Sequence, residues 1–184
     1  MKTELIAGGI AVSAAPSGTA NPEFGFPSFW DRLAPLKSNL YSYILKALNF
    51  SQDADDVFQE TVLCGYRYFR SFRRDGEFGA WIFGIAHNQI RSQWKRDNRR
   101  QAMADAATAA VVSPESENEL VREIYRFASG LAPRERSVFF LFYESGFSIA
   151  EIAGIAGLKE GHVKWILFQA RASVRKIMGA SDEE

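Results

Sequence analysis

The stretch LAPRERSVFFLFYESGFSIAEIAGIAG, residues 131–157, carries clear signals for where helices start and stop. Pro133 suits the first position of a helix, and Gly146 suits the cap at the end of that helix. Ser148 and Glu151 then form the capping-box pattern that starts a second, shorter helix. The stretch therefore predicts two consecutive helices joined by a tight turn.

The segment that follows, GHVKWILFQARASVR at residues 161–175, completes a helix-turn-helix pattern. Ala153, Gly157 and Val163 hold the positions at which this motif needs a small residue, a turn glycine and an apolar contact. The spacing fits a DNA-reading helix, and a plain helical hairpin is the alternative.

Apolar residues recur at helical intervals along the rest of the chain, and no alternating strand pattern of useful length occurs. The predicted fold class is all-α, with two small helical domains joined by a linker, the second of which holds the helix-turn-helix. Upstream helices are predicted at residues 29–48, where Pro35 marks a break or a first helical turn, at 53–72 and at 78–100.

The segment QAMADAATAAVVSPES, residues 101–116, has almost no aromatic or basic side chains and is predicted to be a linker. Its alanines are also compatible with an extended helix. The predicted domains are therefore 28–100 and 117–180. Residues 1–27 are predicted to be a flexible tail, because Glu4 and a diluted apolar run argue against a secretory signal.

The composition of this 184-residue chain excludes several classes of protein. A single cysteine, Cys64, excludes an internal disulfide and a cysteine-based zinc site, which indicates a reducing, cytoplasmic compartment. No apolar run approaches the roughly 18 residues of a membrane span, so no membrane insertion is predicted. No metal-ligand spacing, phosphate loop or nucleophile motif links His87 with His162, so neither catalysis nor a metal or cofactor is predicted.

The formal net charge is zero, with 22 basic and 22 acidic residues, but the charges are segregated. Residues 67–100 hold nine basic residues against three acidic ones, whereas acidic residues cluster just upstream. Such asymmetry predicts two different partners for the first domain.

Asp53, Asp56 and Glu60 follow a three-then-four spacing that places them on one face of the predicted second helix. Carboxylates in a first turn stabilise a helix dipole, which would explain Asp53, Asp55 and Asp56, but Glu60 lies too far along for that explanation. The face is interpreted either as solvated surface or as a docking site for a basic protein partner.

The basic segment combines cations with aromatic rings, as single-stranded nucleic-acid sites do. Phosphates require positive charge, and unpaired bases require stacking surfaces. The candidate residues are Phe72, Arg73, Arg74, Phe78 and Trp81, followed by Asn88, Arg91, Lys95 and Arg96. The alternative is that the aromatic residues belong to the core, an interpretation favoured for Phe78. His87 is placed on the polar side of the third helix.

Two segments carry a resemblance to a known family. DADDVFQETVLCGYRYF followed by FRRDGEFGAWIFGIAHNQIRSQWKR resembles region 2 of a bacterial sigma factor of the extracytoplasmic-function (ECF) group. LAPRERSVFFLFYESGFSIAEIAGIAGLKEGHVKWILFQARASVR resembles region 4 of the same group, and the two segments follow the family's order.

The resemblance implies a promoter-recognition factor whose partners are core RNA polymerase, through its β′ clamp helices and β subunit, and promoter DNA, with an anti-sigma factor as a further partner. The residues matching the polymerase-docking helix are Asp53, Asp55, Asp56, Gln59 and Glu60. The residues matching the minus-10 reader are Phe72, Arg73, Arg74, Trp81, Asn88, Arg91, Lys95 and Arg96. The residues assigned to the minus-35 reader are His162, Lys164, Trp165, Phe168, Arg171 and Arg175.

The last helix departs from the family, because members usually carry polar or basic residues where this chain has Trp165, Ile166 and Phe168. An advance of about 100° per residue from Val163 places Trp165 and Phe168 outward and Ile166 near the border of the core. The two rings either contact thymine methyls, anchor a protein partner or pack inside. The predicted function is an ECF sigma factor, and the alternative is a sigma-like decoy that binds an anti-sigma factor.

Overall fold

The structure is a computed structural model that describes residues 28–72, 77–103 and 119–180. The described residues form eight α-helices and two short 3-10 turns, and these ranges contain no strand. The helices are α1 (Phe29–Leu33), α2 (Lys37–Ala47), α3 (Ala54–Tyr68), α4 (Phe78–Met103), α5 (Glu119–Gly130), α6 (Pro133–Tyr143), α7 (Ile149–Ala156) and α8 (Glu160–Ala180). The predicted all-α fold class is confirmed.

The short helix α1 belongs to a compact unit that ends at Pro35, and the remaining helices belong to a second unit that begins at Leu36. Ser28 and Asp31 form a capping box at the start of α1, with the Ser28 amide 2.9 Å from Asp31 Oδ2. The hydrogen bonds from Ser28 hold the pKa of Asp31 below its ordinary value. Pro35 lies in a 3-10 turn between α1 and α2, which confirms the predicted break.

Within the second unit, α2, α3 and α4 pack against one another through apolar side chains spaced at helical intervals. The buried residues of these helices include Leu40, Tyr43, Ile44, Ala54, Val57, Ile82, Phe83, Ala86 and Ile90. Thr61 lies on the same face and is fully buried, and its hydroxyl donates to the Val57 carbonyl at 2.7 Å. This packing brings the acidic stretch of α3 beside the basic stretch of α4.

The caps predicted for α6 and α7 are largely confirmed. Pro133 opens α6, and Ser148 with Glu151 forms a capping box at the start of α7. Gly157 closes α7 in a left-handed conformation with φ of 63°, which costs glycine little. The prediction for Gly146 needs correction, because α6 ends at Tyr143 and Gly146 takes its positive φ of 74° in the turn beyond.

Helices α7 and α8 form a helix-turn-helix with a three-residue turn, residues 157–159. Val163, Ile166 and Leu167 of α8 are buried, as is Ile152 of α7, and the two helices pack against each other. Helices α5 and α6 pack against α8 and complete this part of the core.

The group α5–α8 packs directly on the group α2–α4, with α6 against α2 and α7 against α4. Phe147 places its ring edge-on against Phe83, with the ring centroids 4.8 Å apart. Arg136 is buried, and its Nε donates to the Ala47 carbonyl at 3.1 Å. Residues of both predicted domains therefore belong to one compact unit, and the predicted domain boundaries stay a prediction.

Three polar side chains meet at the centre of this contact, and all three are fully buried. Tyr43 Oη lies 2.6 Å from Ser137 Oγ and 3.1 Å from His87 Nδ1, and His87 Nδ1 lies 3.0 Å from Ser137 Oγ. Within the described residues, His87 Nε2 has no hydrogen-bond partner. One residue each from α2, α4 and α6 thus forms a buried polar triad.

Charged and polar side chains form further interactions at the edge of the contact between the α2–α4 group and the α5–α8 group. Glu144, just beyond α6, pairs with Lys46 and accepts a hydrogen bond from Ser42 Oγ at 2.6 Å. Lys46 also lies over the Tyr125 ring, with Nζ 5.0 Å from the ring centroid, which is a favourable cation–π position. Ser145 Oγ lies 3.1 Å from Asn39 Oδ1 at the same edge.

Candidate functional site

The acidic face of α3, residues 53–60, is mostly open to solvent. Asp55, Asp56, Gln59 and Glu60 are exposed, whereas Asp53 is half-buried. Tyr41 donates from its hydroxyl to Asp55 Oδ1 at 2.8 Å, and this hydrogen bond raises the pKa of the tyrosine. The exposed part of the face therefore presents carboxylates that form no ion pair with any described residue, over about one and a half helical turns.

Asp53 has a structural role that its position alone did not predict. It occupies the N-cap position of α3, but its side chain does not cap the helix. Its Oδ2 instead accepts hydrogen bonds from Gln93 Nε2 at 2.7 Å and from Ser51 Oγ at 3.2 Å. Helix α4 is thereby tied to the start of α3.

Gln93 is a buried connector that was not predicted from the sequence. Besides Asp53, its Nε2 donates to Asp97 Oδ1 at 3.0 Å, and its Oε1 accepts from Arg96 Nε at 2.9 Å. Gln93 lies three residues before Arg96 and four before Asp97, so the three side chains lie on one face of α4. This spacing is the only sequence signal that could have indicated the connecting role of Gln93. The connector links the acidic face of α3 to the basic face of α4.

The aromatic residues at the start of α4 form one cluster with Phe69 and Phe72, which belong to the 3-10 turn after α3 and to its C-cap. The ring centroids of Phe72 and Trp81 are 5.0 Å apart, and Phe69 and Phe78 lie within 6.5 Å of both. Phe78 is buried, as favoured from the sequence, whereas Phe72 and Trp81 are half-buried. Phe72 and Trp81 are therefore each partly accessible to solvent.

The basic face of α4 follows this aromatic cluster along the helix. Asn88, Lys95 and Arg96 are exposed and Arg91 is half-buried, so all four predicted residues reach the surface. The predicted residues Arg73 and Arg74 lie outside the described residues.

The assignment of His87 to the polar side of α4 is wrong. The ring is fully buried in the contact with α2 and α6. Burial, and after it the positive charges of Arg91 and Arg134, together lower the pKa of His87 to about 4. His87 is therefore a neutral interior side chain at neutral pH.

Helix α8 presents every predicted minus-35 residue to solvent. The exposed side chains are His162, Lys164, Trp165, Phe168, Arg171 and Arg175. Trp165 is 51% exposed and Phe168 is 66% exposed, so the hypothesis that both rings pack inside is wrong. Ile166 is buried, as the position near the border of the core allowed.

An open apolar groove of about 910 Å³ runs between α5, α6 and α8. Tyr125, Phe139 and Val174 contribute to its lining, and Arg171 and Arg175 border it on the α8 side. Periodicity did not indicate this groove, because it depends on how three helices are placed relative to one another.

Among the described residues, no group of three His, Cys, Asp or Glu side chains is arranged to hold a metal ion. No helix in the described ranges combines the length and apolar character needed to cross a membrane. The candidate site comprises three surfaces, namely the acidic face of α3, the aromatic and basic face of α4 and the exposed face of α8.

Comparison with known proteins agrees with this arrangement of surfaces. Sigma-70 region 2 matches residues 34–100, and Sigma-70 region 4 matches residues 122–174. The chain is 30% identical over 158 residues to the ECF RNA polymerase sigma factor EcfG of Rhodopseudomonas palustris, a match that covers 83% of this chain and 87% of that relative. This chain belongs to the ECF family of RNA polymerase sigma factors.

Other proteins are similar to this chain in sequence or in fold. The ECF RNA polymerase sigma factor SigM of Bacillus subtilis is 23% identical over 153 residues, covering 79% of this chain and 93% of that protein. The fold resembles that of the sigma factor RpoE in its co-crystal structure with the anti-sigma factor NepR from Bartonella quintana. That likeness has a TM-score of 0.65 at 22% identity and covers 82% of this chain and 98% of the other.

Proposed function

We propose that this chain is an ECF-type sigma factor that directs core RNA polymerase to specific promoters and starts DNA-templated transcription. The observation that carries the proposal is the pairing of α3 and α4, which present exposed carboxylates and exposed cations from adjacent helices. One helix pair can thereby bind a basic protein surface and an anionic nucleic acid at the same time.

The acidic face of α3 docks on the β′ clamp helices of the polymerase. Asp56, Gln59 and Glu60 are exposed and free to meet basic side chains. The Asp55 carboxylate accepts a hydrogen bond from Tyr41, and the Asp53 carboxylate accepts one from Gln93. Asp53 and Asp55 therefore fix the position of the acidic face and also contribute negative charge to it. The β subunit is the second polymerase surface in this proposal.

The minus-10 element is opened and read by the aromatic cluster and α4. Phe72 and Trp81 supply stacking surfaces for an unpaired base, while Asn88, Arg91 and Lys95 line the path of the strand. Flipping a base out of the duplex costs a few kcal/mol, which these contacts offset. Arg96, together with Arg73 and Arg74, adds phosphate contacts.

The minus-35 element is read by α8 in the major groove. Lys164, Arg171 and Arg175 contact phosphates, and His162 lies near the start of the helix. Trp165 and Phe168 contact thymine methyl groups and sugars, because they are the large apolar side chains on this surface.

Catalysis in this scheme belongs to the polymerase, so the chain itself is not an enzyme and needs no metal or cofactor. Its place of action is the cytoplasm, where core polymerase and the promoter lie. Its single cysteine suits that reducing compartment.

An anti-sigma factor is a further partner in this proposal. The exposed rings of Trp165 and Phe168 are the residue types that anchor protein interfaces, and the apolar groove lies on the same group of helices. These features also support the second candidate function, a decoy that sequesters an anti-sigma factor. The decoy has no use for the basic face of α4, so we favour the working sigma factor.

Transcription from a genomic promoter library tests the two candidates. Core polymerase is assayed with and without the protein, and the new RNA ends are sequenced. A sigma factor produces new start sites with shared upstream elements, whereas a decoy produces none.

Paired charge reversals separate the two surfaces of the sigma factor. Arg91→Glu with Arg96→Glu should abolish opening and leave polymerase binding intact. Asp56→Lys with Glu60→Lys should weaken polymerase binding instead. Unchanged transcription from the first pair, or unchanged affinity in the second, would refute the corresponding assignment.

A further inference from the structure

An apolar stripe runs along the exposed side of α8. It consists of Gly161, Trp165, Phe168 and Ala172, which follow one another at helical spacing and are all exposed. An advance of about 100° per residue places the four within about 60° of one another on the helix. The only polar group in these side chains is the indole N–H of Trp165. The stripe therefore offers almost no hydrogen-bonding atoms to whatever it contacts.

Positive charges accompany the stripe along one edge. Lys164, Arg171 and Arg175 lie within about 40° of one another on α8, and all three are exposed. A row of cations is complementary to the phosphates of a DNA strand, and phosphate contacts fix how a helix lies in the major groove. This charge complementarity favours duplex DNA as the ligand, with the apolar stripe facing the edges of the bases.

The ring of Trp165 has a defined position on the stripe. His162 lies against it, with the ring centroids 6.0 Å apart and the ring planes at 65°. The next two residues, Ile166 and Leu167, are buried and hold this part of α8 against the core. A side chain that is already held in place loses little conformational freedom when it binds.

The major groove presents two kinds of group to such a stripe. Hydrogen-bonding atoms of the bases lose water without gaining a partner when an apolar ring covers them, which is unfavourable. Thymine instead presents a methyl group on carbon 5 of its ring, and contact with an apolar side chain is favourable. In 5-methylcytosine the same carbon carries the same methyl group. The stripe thus gains from the methyl group whichever pyrimidine carries it.

We propose that the apolar stripe of α8 recognises the 5-methyl group of pyrimidines, so that methylation of a cytosine beneath it strengthens binding to the minus-35 element. The ligand is duplex DNA that contains 5-methylcytosine. This inference rests on the proposed function, which assigns base readout to α8. It adds a form of regulation, because cytosine methylation within the element raises transcription from that promoter.

Base replacement within the minus-35 element tests the proposal. The element is the one shared by the start sites that the promoter library yields. Each thymine–adenine pair is replaced in turn by uracil–adenine, by cytosine–guanine and by 5-methylcytosine–guanine. Every position is thereby compared with and without the methyl group in two base pairs. Fluorescence anisotropy measures the affinity of the holoenzyme, formed from core polymerase and the full chain, for each labelled duplex.

The wild type should bind about fourfold more tightly with each methyl group beneath the stripe, both for thymine over uracil and for 5-methylcytosine over cytosine, because one more methyl group is buried. Trp165→Ala or Phe168→Ala should abolish both differences at the position that the missing ring contacts. Lys164→Ala is the matched control, since it removes a neighbouring exposed cation. It should weaken binding to all four duplexes alike and leave both differences intact. Thermal unfolding confirms that each variant is folded.

Three results would overturn the proposal. Equal affinities for cytosine and 5-methylcytosine at every position, with transcription intact, would remove it and leave the proposed function standing. Differences that persist in both ring variants would show that methylation acts through the shape of the DNA and not through the stripe. Absence of any new start site from the promoter library would overturn the proposed function and this inference with it.

Discussion

Gln93 donates a hydrogen bond from Nε2 to Asp53 Oδ2 at 2.7 Å, across the contact between α4 and α3. The same side chain accepts from Arg96, so a single buried amide connects the acidic face with the basic face. The relative positions of the two faces therefore depend on a buried residue that hydrogen-bonds to a member of each.

Replacing Gln93 with glutamate should destabilise the protein by about 1–3 kcal/mol, because a buried donor becomes a carboxylate facing Asp53 and Asp97. Urea denaturation measures the loss. Gln89→Glu is the matched control, since Gln89 lies one turn earlier on α4. Equal stability of the two variants would show that the connector contributes nothing.

Protonation of His87 should make stability depend on pH. Its pKa is about 4 in the folded state and near the ordinary 6.5 in the unfolded chain, so unfolding takes up a proton between these values. Its contribution is fully present above about pH 6.5 and is lost as pH falls towards 4, by up to about 3 kcal/mol.

The test compares wild type with His87→Asn in urea denaturation at several values between pH 4.5 and 7.5. The variant should show a flatter dependence on pH, while carboxylates such as Glu151 affect both proteins equally. His162→Asn is the control, because His162 is exposed. Parallel curves for wild type and His87→Asn would contradict the prediction.

Trp165→Ala and Phe168→Ala should each weaken binding to the minus-35 element by about 1–3 kcal/mol. Stability should change little, because both rings are more than half exposed. Fluorescence anisotropy with a labelled duplex measures the affinity, and Gln169→Ala, also exposed on α8, is the control.

Deoxyuridine in place of thymine identifies the atoms that are read, since it lacks only the methyl group. The substitution should weaken the wild type and have no effect on the variants that lack the ring. If it weakens all proteins equally, the rings do not contact the methyl groups.

Gly157→Ala should destabilise the protein by about 1 kcal/mol, because Gly157 has a left-handed backbone with φ of 63°. Gly154→Ala is a matched comparison inside α7, where an added Cβ meets no atom within 4 Å. That change should stabilise the helix by about 0.5–1 kcal/mol. Thermal unfolding shows whether each substitution lowers or raises the melting temperature. A change in the same direction for both variants would contradict the explanation from the left-handed backbone of Gly157.

Features that depend on neighbouring residues were predictable from the sequence. Ser148 and Glu151 are three residues apart, and their capping box formed as expected. The outward position of Trp165 followed from the angle it makes with Val163 on a helix. In both cases the determining interactions lie within one helix.

Features that depend on distant partners were not predictable in this way. Helical spacing groups His87 with Asn88 and Arg91 on the polar side of α4, but Tyr43 and Ser137, 44 and 50 residues away, provide its hydrogen bonds in the interior. Gln93 was missed for the same reason, since Asp53 lies 40 residues upstream. Periodicity identifies the faces of a helix but does not identify what each face meets.

The position of Arg171 and Arg175 has a consequence for inhibition. Both residues border the apolar groove and also belong to the exposed face of α8. A protein ligand whose carboxylates pair with them in the groove withdraws the same two cations from DNA phosphates. Groove ligand and promoter then exclude each other by direct competition, and antagonism between them requires no allosteric signal through the chain.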